Sequence, residues 1–577
     1  MRTLINFLGL VGLLVSPALM ASPYPNSGSL YFDVREDRLS RVKRKDGPQV
    51  TPVESAAQEF SSEPMAVSHF VVYGNKSLED ELIASVLAPF SHRTLTPEQL
   101  SKAATSLRDA YRTAGFFLAQ VYIPPQAIEN GIVTLHVYEG FLEMNGVELD
   151  DARGDQINTS VVQQTLTEQL VTGTPLHRSE VERSILLVDD LPGITSHSII
   201  YPGEEVGSAR LLVRTENTPS VTGNIDIDNF GNYYTGEERL GATVYFNSLA
   251  GMGDQLTFRG VASGSGSNYA YIDYSAPLGG DGWRIGANAD YLRYEVGKEL
   301  SELESDGSAA SVRVFASYPI VRSRHHNHSV RAEYSYLDIK DDGANGQLLA
   351  ERNIHSLSLW LMGDLDHDRL ANGITFYSAS LTSGSLDITG GQAFVDFDRA
   401  KSGADGSFTR LNAEASRLQH LSGPWSVYGA IAGQWATGNM DTSQKFYIGG
   451  PFRVAGYPTG EASGDQGANF HADLRYDFEK TLLGGYLQLS FFYAAGWAQL
   501  HKNPWEGWEG SNPIIKNDIT LQSWGVGMTQ SWGSSLSLRA YLGRQLGSNE
   551  SRDPMTGLDS DQTDSSYRGW AQVIYYF

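Results

Sequence analysis

Phe470-His471-Ala472-Asp473-Leu474-Arg475-Tyr476-Asp477-Phe478 divides into two faces. Phe470, Ala472, Leu474, Tyr476 and Phe478 form one, and His471, Asp473, Arg475 and Asp477 form the other. Successive side chains of a strand point to opposite sides, so this is a strand with one apolar and one charged face. The inside of a soluble sandwich would not easily carry that charge. A barrel with lipid outside and water inside needs it, because only helices or closed β-structure satisfy every backbone group in hydrocarbon. Similar segments fill the chain after Asn217, and about sixteen can be counted between 219–230 and 566–577. Short links such as Ser422-Gly423, Thr481 to Gly484 and Trp532-Gly533 alternate with long ones at 385–407, 437–466, 498–517 and 547–565. That asymmetry belongs to an outer-membrane barrel, with short periplasmic turns and long external loops, and an even strand count leaves both barrel ends in the periplasm. Trp425, Trp435, Tyr486, Trp497, Trp524, Trp532, Trp570, Tyr575 and Tyr576 fall near strand ends, as aromatic girdles at the water boundaries would.

Composition removes competitors. The formal charge is -24 over 577 residues with 60 glycines and 11% aromatics, which fits acidic loops and girdles and leaves no basic footprint for nucleic acid. There is no cysteine, hence no disulfide framework, thiolate metal site or cysteine nucleophile. Met1 and Arg2 precede an apolar run from Leu4 to Val15 and then Ser16, Ala18, Ala21 and Ser22, which reads as a secretory leader over 1–21, cleaved after Ala18 or Ala21. Residues 22–66 are polar, with a basic run at Arg41, Lys43, Arg44 and Lys45, and form an extension or linker that is either a tether or a plug for the barrel.

Between these parts the chain has an α+β period. Phe70 to Tyr73 is a strand ending at Gly74-Asn75. Thr96, Pro97 and Gln99 open a helix with a capping box, and Leu100, Ala103, Ala104, Leu107 and Tyr111 share its face up to Gly115. Strands at Phe117–Ile123 and Ile132–Tyr138 follow, divided by Pro124-Pro125 and Asn130-Gly131. Residues 142–216 repeat the plan, with a helix over Val161–Leu170, a second capping box at Ser179 and Glu182, and strands at Ser196–Tyr201 and Ala209–Val213. Two tandem α+β repeats, 67–141 and 142–216, thus precede a barrel over 217–577.

Gly74-Asn75, Pro124-Pro125-Gln126 with Gly131, and Glu139-Gly140 resemble the polypeptide-transport-associated (POTRA) domain of two-partner secretion transporters, the exporters of haemolysins and filamentous haemagglutinins. Asp228-Asn229-Phe230-Gly231-Asn232 with Thr235-Gly236, and Gly253-Asp254-Gln255-Leu256, resemble the first barrel hairpins of the same family. The strongest likeness is Gly449-Gly450-Pro451-Phe452-Arg453-Val454-Ala455-Gly456-Tyr457-Pro458, continuing to Gly464 and Asp465. The resemblance places this stretch in a loop, 437–466, that folds back into the lumen. It implies capture of an unfolded, large secreted exoprotein by the POTRA domains, with Gly74, Asn75, Pro124, Pro125, Gln126 and Gly131 as their motif, and export through the barrel without a nucleotide or redox cofactor. It also implies insertion into outer-membrane lipid by the barrel-assembly machinery, which would read the terminal Tyr575 and Phe577.

The family's loop tip normally carries arginine where this chain has Ala455, and its aspartate partner on the barrel wall corresponds to Ala494. Losing both together leaves no orphaned charge in the lumen. Two ways to hold the loop remain open: Arg453 pairs with Asp473 or Asp477 on the wall beside Arg475, or apolar packing of Phe452 and Tyr457 suffices. Other motifs point elsewhere than chemistry. Asp364, Asp366 and Asp368 imitate a calcium loop, but Arg369 stands where the turn needs glycine, so a periplasmic turn explains them better. His325, His326 and His328 fall in another expected turn, and no nucleophile elbow is present, so neither a metal site nor an enzyme is expected. A barrel-assembly factor and a passive porin are the alternative functions; the first is disfavoured by the exporter-type motifs, and the second leaves the repeats unexplained.

Overall fold

The computed structural model describes residues 64–577 apart from 151–155, 265, 368–371, 510–515 and 554–555, so the expected leader and most of the extension lie outside the described residues. The first α+β unit comprises β1 (Met65–Val67), β2 (His69–Tyr73), α1 (Asp80–Leu87), β3 (Arg93–Leu95), α2 (Pro97–Thr113), β4 (Gln120–Tyr122) and β5 (Ile132–Tyr138). Its main sheet has the order β2-β5-β4, with β2 and β5 parallel. Thr96 caps α2 as its sequence demands: its hydroxyl accepts from Gln99 N, and the Gln99 side chain accepts from Thr96 N at 2.9 Å. The buried stripe Leu100, Ala103, Ala104, Leu107 and Tyr111 packs in one cluster with Val133, Leu135 and Val137 of β5.

The second unit comprises β6 (Phe141–Asp150), α3 (Thr159–Gln169), α4 (Arg178–Asp189), β7 (Ile194–Pro202) and β8 (Ser208–Asn217), with sheet order β6-β8-β7. Two expectations need correction here. The α4 cap is His177 with Glu180, two residues earlier than the Ser179–Glu182 box; His177 Nδ1 accepts from Ser179 N at 3.2 Å. The strand expected from Phe117 shrinks to Gln120–Tyr122, because Phe116 to Ala119 turn and Phe117 enters the core of the second unit beside Leu142, Leu176 and Val181. That inserted ring couples the two units.

The closed barrel has sixteen antiparallel strands. In chain order they begin β9 (Val221–Asp228), β10 (Arg239–Asn247), β11 (Gln255–Ser263), β12 (Asn268–Leu278), β13 (Trp283–Glu295), β14 (Asp306–Arg322), β15 (His326–Gly343) and β16 (Gln347–His367). Next come β17 (Gly373–Gly390), a short helix α5 (Gln392–Phe397), β18 (Gly406–His420) and β19 (Trp425–Ala436). A two-stranded hairpin inside the next loop, β20 (Phe446–Tyr447) and β21 (Ser463–Gly464), precedes β22 (Gln466–Asp477), β23 (Tyr486–Gln499), β24 (Asp518–Trp532), β25 (Leu536–Leu546) and β26 (Tyr567–Tyr576). Closure is made by β26 against β9, from Gln572↔Asp228 to Tyr576↔Asn224. Beyond that register, Gly223 and Phe577 exchange both backbone bonds, at 2.9 and 3.1 Å. Gly223 admits the Phe577 ring, since a Cβ there would stand 2.6 Å from Phe577 Cζ.

The inside/outside alternation holds. Phe470 and Leu474 of β22 are exposed on the outer surface while Asp473 faces in, and Tyr575 lies outward on β26. The wall carries buried ion pairs, including Arg239–Asp228 at 2.8 Å, Arg259–Asp226 at 3.3 Å and Arg313–Asp290 at 2.7 Å. Trp570 departs from the girdle expectation: it points inward and is buried. Asp364 and Asp366 belong to the end of β16 and not to the turn, and Asp364 accepts from Asn327 Nδ2 at 3.0 Å. His325 precedes β15, whereas His326 and His328 are in that strand.

Candidate functional site

The connection between β19 and β22 folds into a hairpin of its own. Phe446 pairs with Gly464 and Tyr447 with Ser463, forming a stalk below a compact tip. Within the tip Ile448 N donates to Ala462 O at 3.0 Å, Val454 N to Ile448 O at 3.2 Å and Gly450 N to Tyr457 O at 3.2 Å. The loop therefore satisfies much of its own backbone before it meets the wall.

Two ion pairs hold its base. Asp441 caps a short 3-10 turn, accepting from Ser443 N at 2.9 Å, and also accepts from Arg352 Nη1 of β16 at 2.9 Å. Arg352 bonds Asp341 of β15 as well. Lys445 Nζ donates to Asp465 Oδ1 at 2.7 Å and to Leu500 O at 2.6 Å. Asp465 further accepts from Met440 N at 3.0 Å and Lys502 N at 2.8 Å. Lys445 and Asp465 side chains retain 3% and 0% exposure, so water does not screen the pair.

The tip is seated differently. Ala462, Val454 and Tyr457 share an apolar cluster with Ala494, Ala498, Ile519 and Leu521 of the wall. Ala455 packs with Phe230, Phe492 and Trp570, and its carbonyl accepts from Trp570 Nε1 at 2.7 Å. Gly456 allows close contact with β24 and β25: an added Cβ would be 2.7 Å from Ser523 Cβ and 3.0 Å from Gln545 N. Gly543 does the same from the opposite side, with a Cβ 2.6 Å from Ala455 O. Phe452 meets Phe230 edge to face at 5.4 Å, and Thr459 Oγ1 donates to Phe230 O at 3.0 Å. Beyond Pro458, Glu461 accepts from Ser560 N at 2.8 Å and Ser551 Oγ at 3.0 Å, tying the loop to the last external connection.

Ala455 and Ala494 therefore both occupy apolar seats. Arg453 does not take over: both oxygens of Asp473 are held, by His471 Nε2 at 2.5 Å and Arg475 Nη2 at 2.8 Å, and Asp477 accepts from Gln488 Nε2 at 2.7 Å. The Arg453 guanidinium instead lies 5.2 Å from the centre of the Phe446 ring. Asp473, Arg475 and Asp477 are rungs of the wall; Arg352 of the wall pairs with Asp441 of the loop, and Lys445 closes the loop's base on Asp465 and on Leu500 O. Sequence reading missed Asp441, Lys445, Glu461, Arg352 and Trp570. The available signal was charge inside a loop that must pack: Asp441, Lys445 and Glu461 lie within 437–466.

The POTRA motif residues are fold-forming. Gly74 has φ +87, and a Cβ there would be 2.3 Å from Val137 O. Asn75 Oδ1 accepts from Leu78 N at 3.1 Å and from Tyr111 OH at 2.5 Å. Gln126 acts as a piece of strand: its amide donates to Thr134 O at 2.9 Å and accepts from Thr134 N at 2.8 Å, extending the sheet where β4 has ended. Pro124-Pro125 lead into that position and Gly131, φ +72, turns the chain back into β5. The Asn75 and Gln126 side chains thus bond within the domain.

The second unit is bolted to the barrel's periplasmic turns. Arg183 of α4 donates to Pro319 O at 2.8 Å, Asp281 O at 3.0 Å and Gln169 Oε1 at 3.0 Å, and Arg322 grips Asp190 at 2.7 and 2.9 Å. Glu168 accepts from Gly280 N at 2.8 Å.

Comparison with known proteins agrees with this architecture. The family described as haemolysin secretion/activation protein ShlB/FhaC/HecB matches residues 207–513, and the ShlB-type POTRA domain matches 65–140. The heme/hemopexin transporter protein HuxB of Haemophilus influenzae (strain 86-028NP) is 25% identical over 549 residues, covering 93% of this chain and 94% of the relative. The hemolysin transporter protein HpmB of Proteus mirabilis is 19% identical over 533 residues, 90% of each chain. Among solved structures, CdiB from Escherichia coli superposes with a TM-score of 0.71 at 18% identity, covering 95% of this chain and 96% of that one. On these matches and this fold, the chain belongs to the ShlB/FhaC/HecB family of two-partner secretion transporters.

Proposed function

We propose that this outer-membrane transporter takes up one dedicated exoprotein, unfolded, at its two periplasmic POTRA domains and passes it through the lumen once the loop of residues 437–465 leaves its seat. The observation that carries this reading is the loop itself: a self-bonded hairpin that enters a closed barrel and rests on an apolar tip contact and the Arg352–Asp441 ion pair. Such an element moves as a unit, because its own backbone bonds survive the movement. No nucleotide chemistry is required of the chain, and folding of the emerging polypeptide outside supplies direction. The relatives' names specify different cargoes, so the cargo must be found by experiment. Quantitative proteomics of culture medium and outer membrane, with and without the chain, tests the proposal. Loss of one large polypeptide from the medium supports it; depletion of many barrels from the membrane, or no change in either, refutes it.

A further inference from the structure

The outward face of the first periplasmic sheet carries a group of rings that no fold requirement explains. Val133, Leu135 and Val137 of β5 point into the core, so Ile132, Thr134, His136 and Tyr138 point away from it. His136 is in register with Tyr73 of β2 on one side and Tyr122 of β4 on the other. The ring centres are 5.6 Å apart for Tyr73–His136 and 5.4 Å for Tyr122–His136, and Tyr138 stacks on Tyr122 at 5.6 Å with planes 4° apart. Tyr73 is 57% and Tyr138 36% exposed. The surface continues onto the second unit, whose Gly207 lies against the Tyr138 ring and whose Val206 is 76% exposed.

We propose that this ladder of Tyr73, His136, Tyr122 and Tyr138 is the surface on which an extended, neutral-to-acidic segment of the exported polypeptide first docks. The proposal rests on the export reading above and names where its client is received. Charge selects the occupant. The chain has a formal charge of -24, yet the outward positions of β2, β5 and β4 (His69, Val71, Tyr73, Ile132, Thr134, His136, Tyr138, Gln120 and Tyr122) include no carboxylate. An acidic or neutral unfolded chain meets less repulsion on these strands than over a surface of average charge, and the exposed Glu204 and Glu205 beside Val206 bound the patch on the second unit. Chemistry selects it as well. Tyrosines are rigid anchors that give contact area at low entropic cost, and their faces accept aliphatic, proline and peptide groups alike. A client that must be bound without a unique motif needs such tolerance.

The test uses the full-length chain and the polypeptide found to depend on it for secretion. A photo-crosslinking phenylalanine at Tyr73 or Tyr122 should form adducts with that polypeptide in cells. The same group at Ser85 or Ser101, exposed on α1 and α2, should not. The urea-unfolded polypeptide should bind the Tyr73→Ala/Tyr122→Ala chain in nanodiscs at least tenfold more weakly than the parent, and the doubly Phe-substituted chain within threefold of it. Adducts from the helical positions only, or unchanged affinity of the alanine variant, would overturn the proposal while leaving export intact. Adducts sensitive to a muramidase would make the occupant a peptidoglycan strand and overturn it too. An unchanged culture medium on deletion of the chain is the separate result that defeats the export reading, and this proposal with it.

Discussion

Replacing Lys445 with Met keeps much of the side chain's volume and removes its charge from a closed site. The substitution deletes the 2.7 Å bond to Asp465 and the 2.6 Å bond to Leu500 O, and leaves the aspartate buried with two backbone donors, Met440 N and Lys502 N. Removing one partner of a buried pair costs about 3–5 kcal/mol, and the two surviving N–H donors place this case near about 3. At about 1.4 kcal/mol per factor of ten, the equilibrium for lifting the loop base shifts roughly 150-fold toward the open form. Hydrogen exchange on the full chain in nanodiscs reads this directly: amides of residues 440–465 should lose about two orders of magnitude of protection while β22 and β23 amides stay unchanged. Adding Asp465→Asn should restore most of the protection, because the buried charge is then gone and one N–H acceptor survives. If Lys445→Met leaves protection within threefold of the parent, the ion pair does not hold the loop and the reasoning fails.

Gly456→Ala puts a Cβ 2.7 Å from Ser523 Cβ and close to the β25 backbone, so the tip must rise; single-channel recordings should show increased basal conductance relative to the parent. Arg183→Ala removes bonds to Pro319 of β14 and to the turn at Asp281, and spin-label distances between the second α+β unit and the barrel should broaden without loss of barrel folding. His501 lies in the connection after β23, where burial, reinforced by Lys445, pushes its pKa down to about 3. Its folded pKa is below the unfolded value of about 6.5, so the packing it supports is fully present above that pH and weakens as pH falls from about 6.5 toward 3. Exchange of the 500–509 amides should rise between pH 7.5 and 5 beyond the intrinsic change, and His501→Gln should abolish the excess. Gln126→Ala leaves Thr134 N and O without their partner and should lower the first domain's unfolding midpoint, measured by protease resistance of the full chain, with a cost of about 1–3 kcal/mol.

The resemblance around Gly449 to Pro458 pointed to the connection that enters the lumen; the sequence by itself determined about sixteen barrel strands and the apolar face of each. Those features are written in a period of two and in turn residues, and both act over a few neighbours: the alternation around Phe470 is legible because each side chain's face follows from the one before it. The capping of α2 was legible for the same reason, since Thr96 and Gln99 satisfy each other within one turn. Only the tertiary structure decided how the loop is held. Arg352 and Asp441 are 89 positions apart, and Trp570 reaches Ala455 across 115. No local pattern distinguishes such partners from solvated charges or a membrane-boundary tryptophan. The same limit explains Phe117, which reads as a strand residue until the neighbouring domain offers it a core, and Arg453, whose expected aspartates were already satisfied by residues two positions away on their own strand or directly opposite on the next. Periodicity assigns a face; closure of the barrel determines which groups meet inside it.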